Sequence, residues 1–378
     1  MSIRGTASLS LSLFWLVLIP AGALQGQEEK NTPAPDGDLS ARVEKLEQLL
    51  QAQKPSPFTV GGTIFGYYMY SRDGIEGRDV NRFDLERSYI TVRGPLAETW
   101  KVQMTADLFR GQDTYRGFGV RMKFAYVDYA PEGFSVKLGL IPGPFNGTEE
   151  NAWRYRGISA APSDRYGYAP TADLGASVTC SLPDGLGELA GYIINGKGYT
   201  APEADKFKDL IFRATLSPFS SSGALKGLTI AAYFYKGYDR SEQNTGLQKD
   251  RLGCMLAYAG DIASLGCIIN GRTEAPSPPA AAISGSVVTL FGEVKSPWEA
   301  LKPFSFVARW DYIEPNSTIA GDRSTLAIAG IAYRPNGRLT LALDYQALYG
   351  ERATTLKKTG GGETGYDGRW FLHVITTF

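Results

Sequence analysis

Of the residues that could make or break bonds, a single histidine, three cysteines and one lysine set between glycines are the first to weigh in this chain. Nucleophilic catalysis needs an activated hydroxyl or thiol within reach of a base. The one histidine, His373, falls in an alternating run beside Ile375, where a packed or lumen-facing wall residue is expected rather than a base. Cys180, Cys254 and Cys267 are an odd number with no metal-ligand spacing, each on the apolar parity of a strand-like segment. They read as small lipid-side or packing residues. Asn195-Gly196-Lys197-Gly198 has the look of a phosphate-binding loop but lacks the flanking glycine and the Lys-Ser/Thr ending. No enzyme, metal centre or cofactor is expected from these residues.

Ionic chemistry remains. Arginine keeps its charge at any relevant pH, and its planar donors suit phosphate and carboxylate. Read by alternation, Arg87, Arg93, Lys101, Arg121, Lys123, Lys137, Arg213, Arg251, Lys295 and Arg309 share the inward side of their strands with Asp107, Asp173, Glu188, Glu293, Asp311 and Asp344. The long connection Ile141–Ala172 adds Arg154, Arg156 and Arg165 against Glu149, Glu150 and Asp164. The screening length at physiological salt is about 8 Å, comparable to a pore radius, so facing charges would be felt across a constriction. The expectation is that Arg154 and Arg156, with Arg87 and Arg121 on the wall, form a basic lining that attracts anions. Lys123, Arg165, Arg213 and Arg309 complete the expected pore-lining set. The plainer alternative is that these arginines pair with the loop acids and fix the loop's shape.

Such a lining needs a wall that turns every second residue inward. From Phe58 onward the chain alternates. Trp100, Val102, Met104, Ala106 and Leu108 make one face, and Lys101, Gln103, Thr105 and Asp107 the other. The stretches Leu174–Cys180, Leu210–Leu216, Phe304–Tyr312 and Leu339–Tyr345 repeat the pattern. Strands of soluble sandwiches usually run to about five or six residues. Gly119–Tyr129, Ser284–Lys295 and Ser324–Arg334 instead reach the roughly 9–11 that a membrane strand needs. The faces of Phe83–Arg93 and Val120–Tyr129 are ambiguous.

About sixteen strands can be counted, an even number in the range of bacterial barrels. Short connections (Gly94–Thr99, Ala130–Gly133, Gly260–Ala263, Pro335–Gly337) alternate with long ones (Ser71–Asn81, Ile141–Ala172, Gly196–Lys208, Gly237–Lys249, Gly271–Ile283, Gln346–Gly368). Ser217–Gly227 is longer than this pattern requires. Loops sorted by parity are the layout of an outer-membrane barrel, and a soluble sandwich has no reason to sort them. The last run, RWFLHVITTF, suits a closing strand whose terminal Phe378 joins an aromatic girdle, although Thr376 stands where an aromatic is commoner.

The first residues carry an address. Arg4, the apolar stretch Leu9–Ile19 and Ala21-Gly22-Ala23 have the order of a secretory signal peptide, so residues 1–23 are expected to be removed on export. Residues 24–57 begin as a polar linker. They continue as a short coiled-coil-like helix in which Leu39, Val43, Leu46 and Leu50 form the stripe, on the periplasmic side. Three copies at a trimer axis could stabilise it; the other reading is a frayed amphipathic helix. Residues 58–378 would be the barrel. Lys+Arg and Asp+Glu are both 39, which gives no reason to expect nucleic acid as a partner, and aromatics at 12% suit interfacial girdles.

Several motifs together resemble the phosphate-selective porin O and P family. FDLERSYITVRGPLAETWKVQMTADL (Phe83–Leu108) is similar to its second hairpin, and FAYVDYAPEGFSVKLGLIPGPF (Phe124–Phe145) to the next hairpin with its Pro-Phe entry to the long loop. GYIINGKGYTAPEADKFKDLIFRATLSPF (Gly191–Phe219) resembles the Asn-Gly-x-Gly loop, and VARWDYIEPN (Val307–Asn316) the Arg-aromatic-Asp strand. Where the family often has a basic residue before Pro-Phe, this chain has Leu140-Ile141-Pro142-Gly143. The resemblance implies an all-β, sixteen-stranded trimeric barrel passing small anions across a Gram-negative-type outer membrane. The expected function is therefore passive diffusion of small hydrophilic solutes, anion-leaning, with membrane lipid and like chains as partners. The alternative is a barrel plugged by Ile141–Ala172 that serves as a structural or adhesive surface anchor.

Overall fold

The computed structural model describes residues 41, 43–45, 57–72, 79–110, 117–221, 223–240, 246–275, 282–350 and 365–378. The chain divides into two units, Met1–Ser56 and Pro57–Phe378. In the first, residues 41 and 43–45 are helical. The expected signal segment, and all of the Leu39–Leu50 stripe but Val43, lie outside the described residues.

In the second unit sixteen strands close into a barrel in which every strand pairs with its sequence neighbours and β1 pairs with β16. The strands are β1 Thr59–Ser71, β2 Val80–Pro95, β3 Trp100–Arg110, β4 Phe118–Tyr129, β5 Phe134–Pro142, β6 Ala172–Leu182, β7 Gly187–Ile194 and β8 Asp209–Leu216. They continue as β9 Leu228–Arg240, β10 Gly246–Ala259, β11 Ala263–Glu274, β12 Ile283–Lys295, β13 Phe304–Glu314, β14 Ser324–Asn336, β15 Leu339–Gly350 and β16 Tyr366–Thr377. All pairings are antiparallel.

Alternation assigns the two faces. On β16, Trp370, Leu372 and Val374 are exposed while His373 between them is buried. Aromatic pairs mark both rims of the outer face: Trp100–Tyr129 and Phe304–Tyr333 toward the short turns, Tyr345–Trp370 and Tyr349–Tyr366 toward the long loops. No described helix is long and apolar enough to cross a membrane. The three cysteines are free. The seam is finished by the terminal residue: Phe378 N donates to Gly62 O at 3.0 Å and Gly62 N to Phe378 O at 2.9 Å.

Two expectations need adjusting. The connections expected at Gly237–Lys249, Gly271–Ile283 and Gln346–Gly368 are shorter, because β9 runs to Arg240, β10 begins at Gly246, β11 runs to Glu274, β15 runs to Gly350 and β16 begins at Tyr366. Cross-strand charge pairs such as Lys236–Asp250 (2.9 Å) help the ladder continue through polar sequence that alternation of apolar residues alone does not mark as strand. The ambiguous faces have a cause as well. Between β1 and β2 the register slips so that Glu86 has no partner, and between β3 and β4 it slips so that Lys123 has none. A bulge inserts one residue and inverts the parity of everything beyond it.

Candidate solute pathway

The connection 143–171 folds into the lumen. Its two ends are stitched at the neck by Gly143 N donating to Thr171 O at 2.8 Å, and a Cβ on Gly143 would lie 1.7 Å from Pro170 O. Within it, helix α1 (Asn146–Trp153) ends on Arg154 in the left-handed region (φ 60°), and a short helix α2 (Pro162–Arg165) follows. Phe145, Trp153, Tyr155 and Ile158 are buried with Ile211, Tyr233, Met255, Ile268, Phe291, Val307 and Ile328, the inward residues of β8 to β14. That side of the wall is apolar on both faces, and the loop covers the inner one.

Polar groups fix the loop in place. Glu149 accepts from Ser163 N (2.9 Å), Ser163 Oγ (2.6 Å) and Asn270 Nδ2 (3.1 Å). Arg309 donates to Ala160 O at 2.7 Å while paired with Asp311, which also accepts from the Tyr166 hydroxyl at 2.6 Å. At the loop's far end Gly157 packs so closely that a Cβ would lie 2.5 Å from Ile375 and 2.8 Å from Phe65. Arg156 then reaches β2, with Nη1 2.9 Å from Glu86, and also lies near Glu150 (3.4 Å) and Asp164 (3.8 Å).

Two chambers follow the opposite arc of the wall. The one on the long-loop side is ≈ 330 Å³ and includes Arg87, Arg121, Lys123, Arg156, Lys249 and Arg251 in its lining. The one on the short-turn side is ≈ 570 Å³ and includes Lys101, Lys123, Lys137, Glu150, Glu188 and Arg213. Lys123 and Thr171 line both. Lys123 reaches this position because its bulge turns an extra side chain inward. Its Nζ donates to the Tyr89 hydroxyl at 3.0 Å, and among the described residues no carboxylate lies within ion-pair distance of it.

The other expected lining residues are placed differently. Arg87 and Arg121 share Asp107, at 3.2 and 2.9 Å. Arg154 lies 3.4 Å from Glu293 and hydrogen-bonds Ser264 Oγ. Arg213 pairs with Glu188 and donates to Pro144 O at 2.9 Å. The Arg309 side chain is 0% exposed. Arg165 is exposed and lines a separate cavity of ≈ 350 Å³, together with Ser159, Gln346 and His373. His373 itself lies 2.9 Å from Asp344 and stacks on Phe371.

The glycine-flanked lysine is also accounted for. Gly196 N and Gly198 N, both residues at positive φ, donate to Asp173 Oδ2 at 2.8 and 3.0 Å, so the chain's own carboxylate fills the nest. Lys197 is held by Asp239 (2.7 Å) and Asp205 (3.3 Å). Alternation already placed Asp107 on the inward side among the acids; Tyr199, a tyrosine in a long loop, is the site residue that it could not mark.

No protein-family model matches the chain, and no curated protein does. Solved structures do match. The anion-selective porin from Comamonas acidovorans aligns with a TM-score of 0.62 at 11% identity, covering 85% of this chain and 99% of that one. The outer-membrane channel DcaP of Acinetobacter baumannii aligns at 0.58 and 14% identity, covering 85% and 97%. The trimer form of OmpT, an outer-membrane protein of Vibrio cholerae, aligns at 0.57 and 10% identity, covering 85% and 99%. At these identities the likeness is one of fold: the chain has the sixteen-stranded antiparallel barrel of porin-like structures.

Proposed function

We propose that this chain is an outer-membrane porin through which small hydrophilic solutes diffuse passively, with a lean toward anions. The observation that carries the reading is Lys123, a cation that lines both chambers and has no carboxylate within ion-pair distance among the described residues, Glu150 being the acid that acts on it most. A fixed charge in a narrow, low-dielectric passage raises the local concentration of the opposite ion. The arginines add less than their number suggests, since Arg87, Arg121, Arg154, Arg156, Arg213 and Arg309 each face an acid. The fold shared with an anion-selective porin supports the same direction, and the motifs resembling phosphate-selective porins make phosphate the first anion to try.

The rest of the reading belongs with it. Residues 1–23 act as a cleaved export signal, 24–57 as a periplasmic linker with a short coiled-coil helix, and 58–378 as the barrel in the outer membrane of a Gram-negative-type bacterium. Homotrimer assembly is consistent with the trimer form described for one protein of the same fold. Two chambers that share Lys123 and Thr171 in their linings speak for a conduit over a plugged anchor.

Reversal potential in planar bilayers across a KCl gradient tests this. The wild type should shift toward chloride, Lys123→Gln should move it back by about half or more, and added phosphate should reduce the current. A cation-ward shift overturns the anion lean. Absence of conductance overturns the porin and leaves the anchor.

A further inference from the structure

Asp107 stands on the inward face of β3 with no exposed surface, and three elements bring donors to one of its oxygens. Arg87 Nη1 from β2 lies 3.2 Å from Oδ2, Arg121 Nε from β4 lies 2.9 Å away, and the Tyr199 hydroxyl from the 195–208 connection lies 3.0 Å away. Oδ1 accepts no hydrogen bond among the described residues. Arg121 is held further between two rings, 4.0 Å from the Phe109 centroid and 4.6 Å from that of Tyr199. Both arginines line the chamber on the long-loop side, but Asp107 is not part of that lining. The three groups together therefore present that chamber with one net positive charge instead of two.

We infer that Asp107 is a specificity-determining residue that limits the anion preference of the passage. The inference rests on the porin reading. A carboxylate in contact with two guanidinium groups cancels much of the potential that either projects into the lumen, and it competes with any solute anion for their donors. Asparagine is the matched replacement: its amide oxygen can keep the three donors, and its nitrogen falls where Oδ1 has no partner. Side-chain volume is preserved, one negative charge is removed, and both guanidinium groups face the chamber without a carboxylate to neutralise them.

The test is the chloride-to-potassium permeability ratio of wild type, Asp107→Asn, Arg87→Gln and the double variant Arg87→Gln/Asp107→Asn in planar bilayers under a KCl gradient. Asp107→Asn should raise the ratio about two- to threefold, Arg87→Gln should lower it, and the double variant should return it to near the wild-type value. If Asp107→Asn does not fold because two arginines are left facing each other, the step from Arg87→Gln to the double variant carries the same comparison without that repulsion. An unchanged ratio in Asp107→Asn channels, or equal ratios in the single and double Arg87 variants, overturns the inference and leaves the porin reading standing. A wild type without conductance removes the porin reading and the inference with it.

Discussion

A carboxylate removed from water is costly unless donors surround it. Glu149 is fully buried in the lumen loop and is reached by three donors, yet burial still pushes its pKa up from 4.5 to about 7. Bonds from Ser163 and Asn270 and the charge of Arg309 oppose that rise without cancelling it. The sign follows from linkage. A carboxyl that holds its proton more tightly when the loop is docked contributes stability that is fully present below 4.5 and is lost as pH rises through about 7. The 143–171 loop should therefore be held most firmly in acid. Hydrogen exchange of its amides should quicken by something on the order of tenfold on passing from mildly acid to mildly alkaline buffer, beyond the intrinsic chemical effect. Glu149→Gln removes that dependence, because the neutral amide can meet Ser163 and Asn270 at any pH. Equal pH dependence in the variant would mean that another group controls the loop.

At the scale of elements, most of the barrel was legible and its irregularities were not. Alternation over long segments, together with loops sorted by parity, was enough to imply about sixteen strands and an inward Ile141–Ala172 connection. The bulges at Glu86 and Lys123 were hidden, because a register slip depends on the partner strand as much as on the slipping one. Those slips place Glu86 and Lys123 in the lumen, where one meets the loop and the other lines both chambers. The arginines were legible as inward residues, but their partners lie far along the chain, as with Arg156 and Glu86.

The loop's contact with the far wall gives a direct test of how it is seated. At Gly157 a Cβ would come within 2.5 Å of the Ile375 side chain and 2.8 Å of the buried Phe65 side chain, so both must shift to admit it. Gly157→Val should lift this end of the loop at a cost of roughly 1–3 kcal/mol. Arg156 would be drawn away from Glu86, unitary conductance should rise, and protease cleavage within 143–171 should speed up. Conductance and cleavage both at the wild-type level would show that the loop is not seated against this wall.

Closure is the property of the whole molecule, since a barrel removes the strand edges that an open sheet would expose to lipid or to another sheet. Here the seam between β1 and β16 runs in register from Thr63↔Thr377 to Ser71↔Arg369, and Phe378 extends it by two backbone bonds to Gly62. The terminal ring lies across that glycine: a Cβ there would be 2.4 Å from Phe378 Cζ and 2.8 Å from the backbone oxygen of Tyr89. The ring could turn aside, but the oxygen belongs to β2 and can move only with its strand. Gly62→Val should thus destabilise the barrel by about 1–3 kcal/mol. The band of folded protein on unheated gels should convert to the unfolded position at lower temperature than in the wild type, and refolding into lipid should slow. Gly337→Ala is the matched comparison, because nothing lies within 4 Å of its added Cβ in the turn between β14 and β15. Its effect should stay within about 0.5 kcal/mol. If the two substitutions shift the conversion temperature equally, closure does not depend on the terminal ring and the glycine fitting together, and the seam must draw its strength from the ladder of β1 and β16 alone.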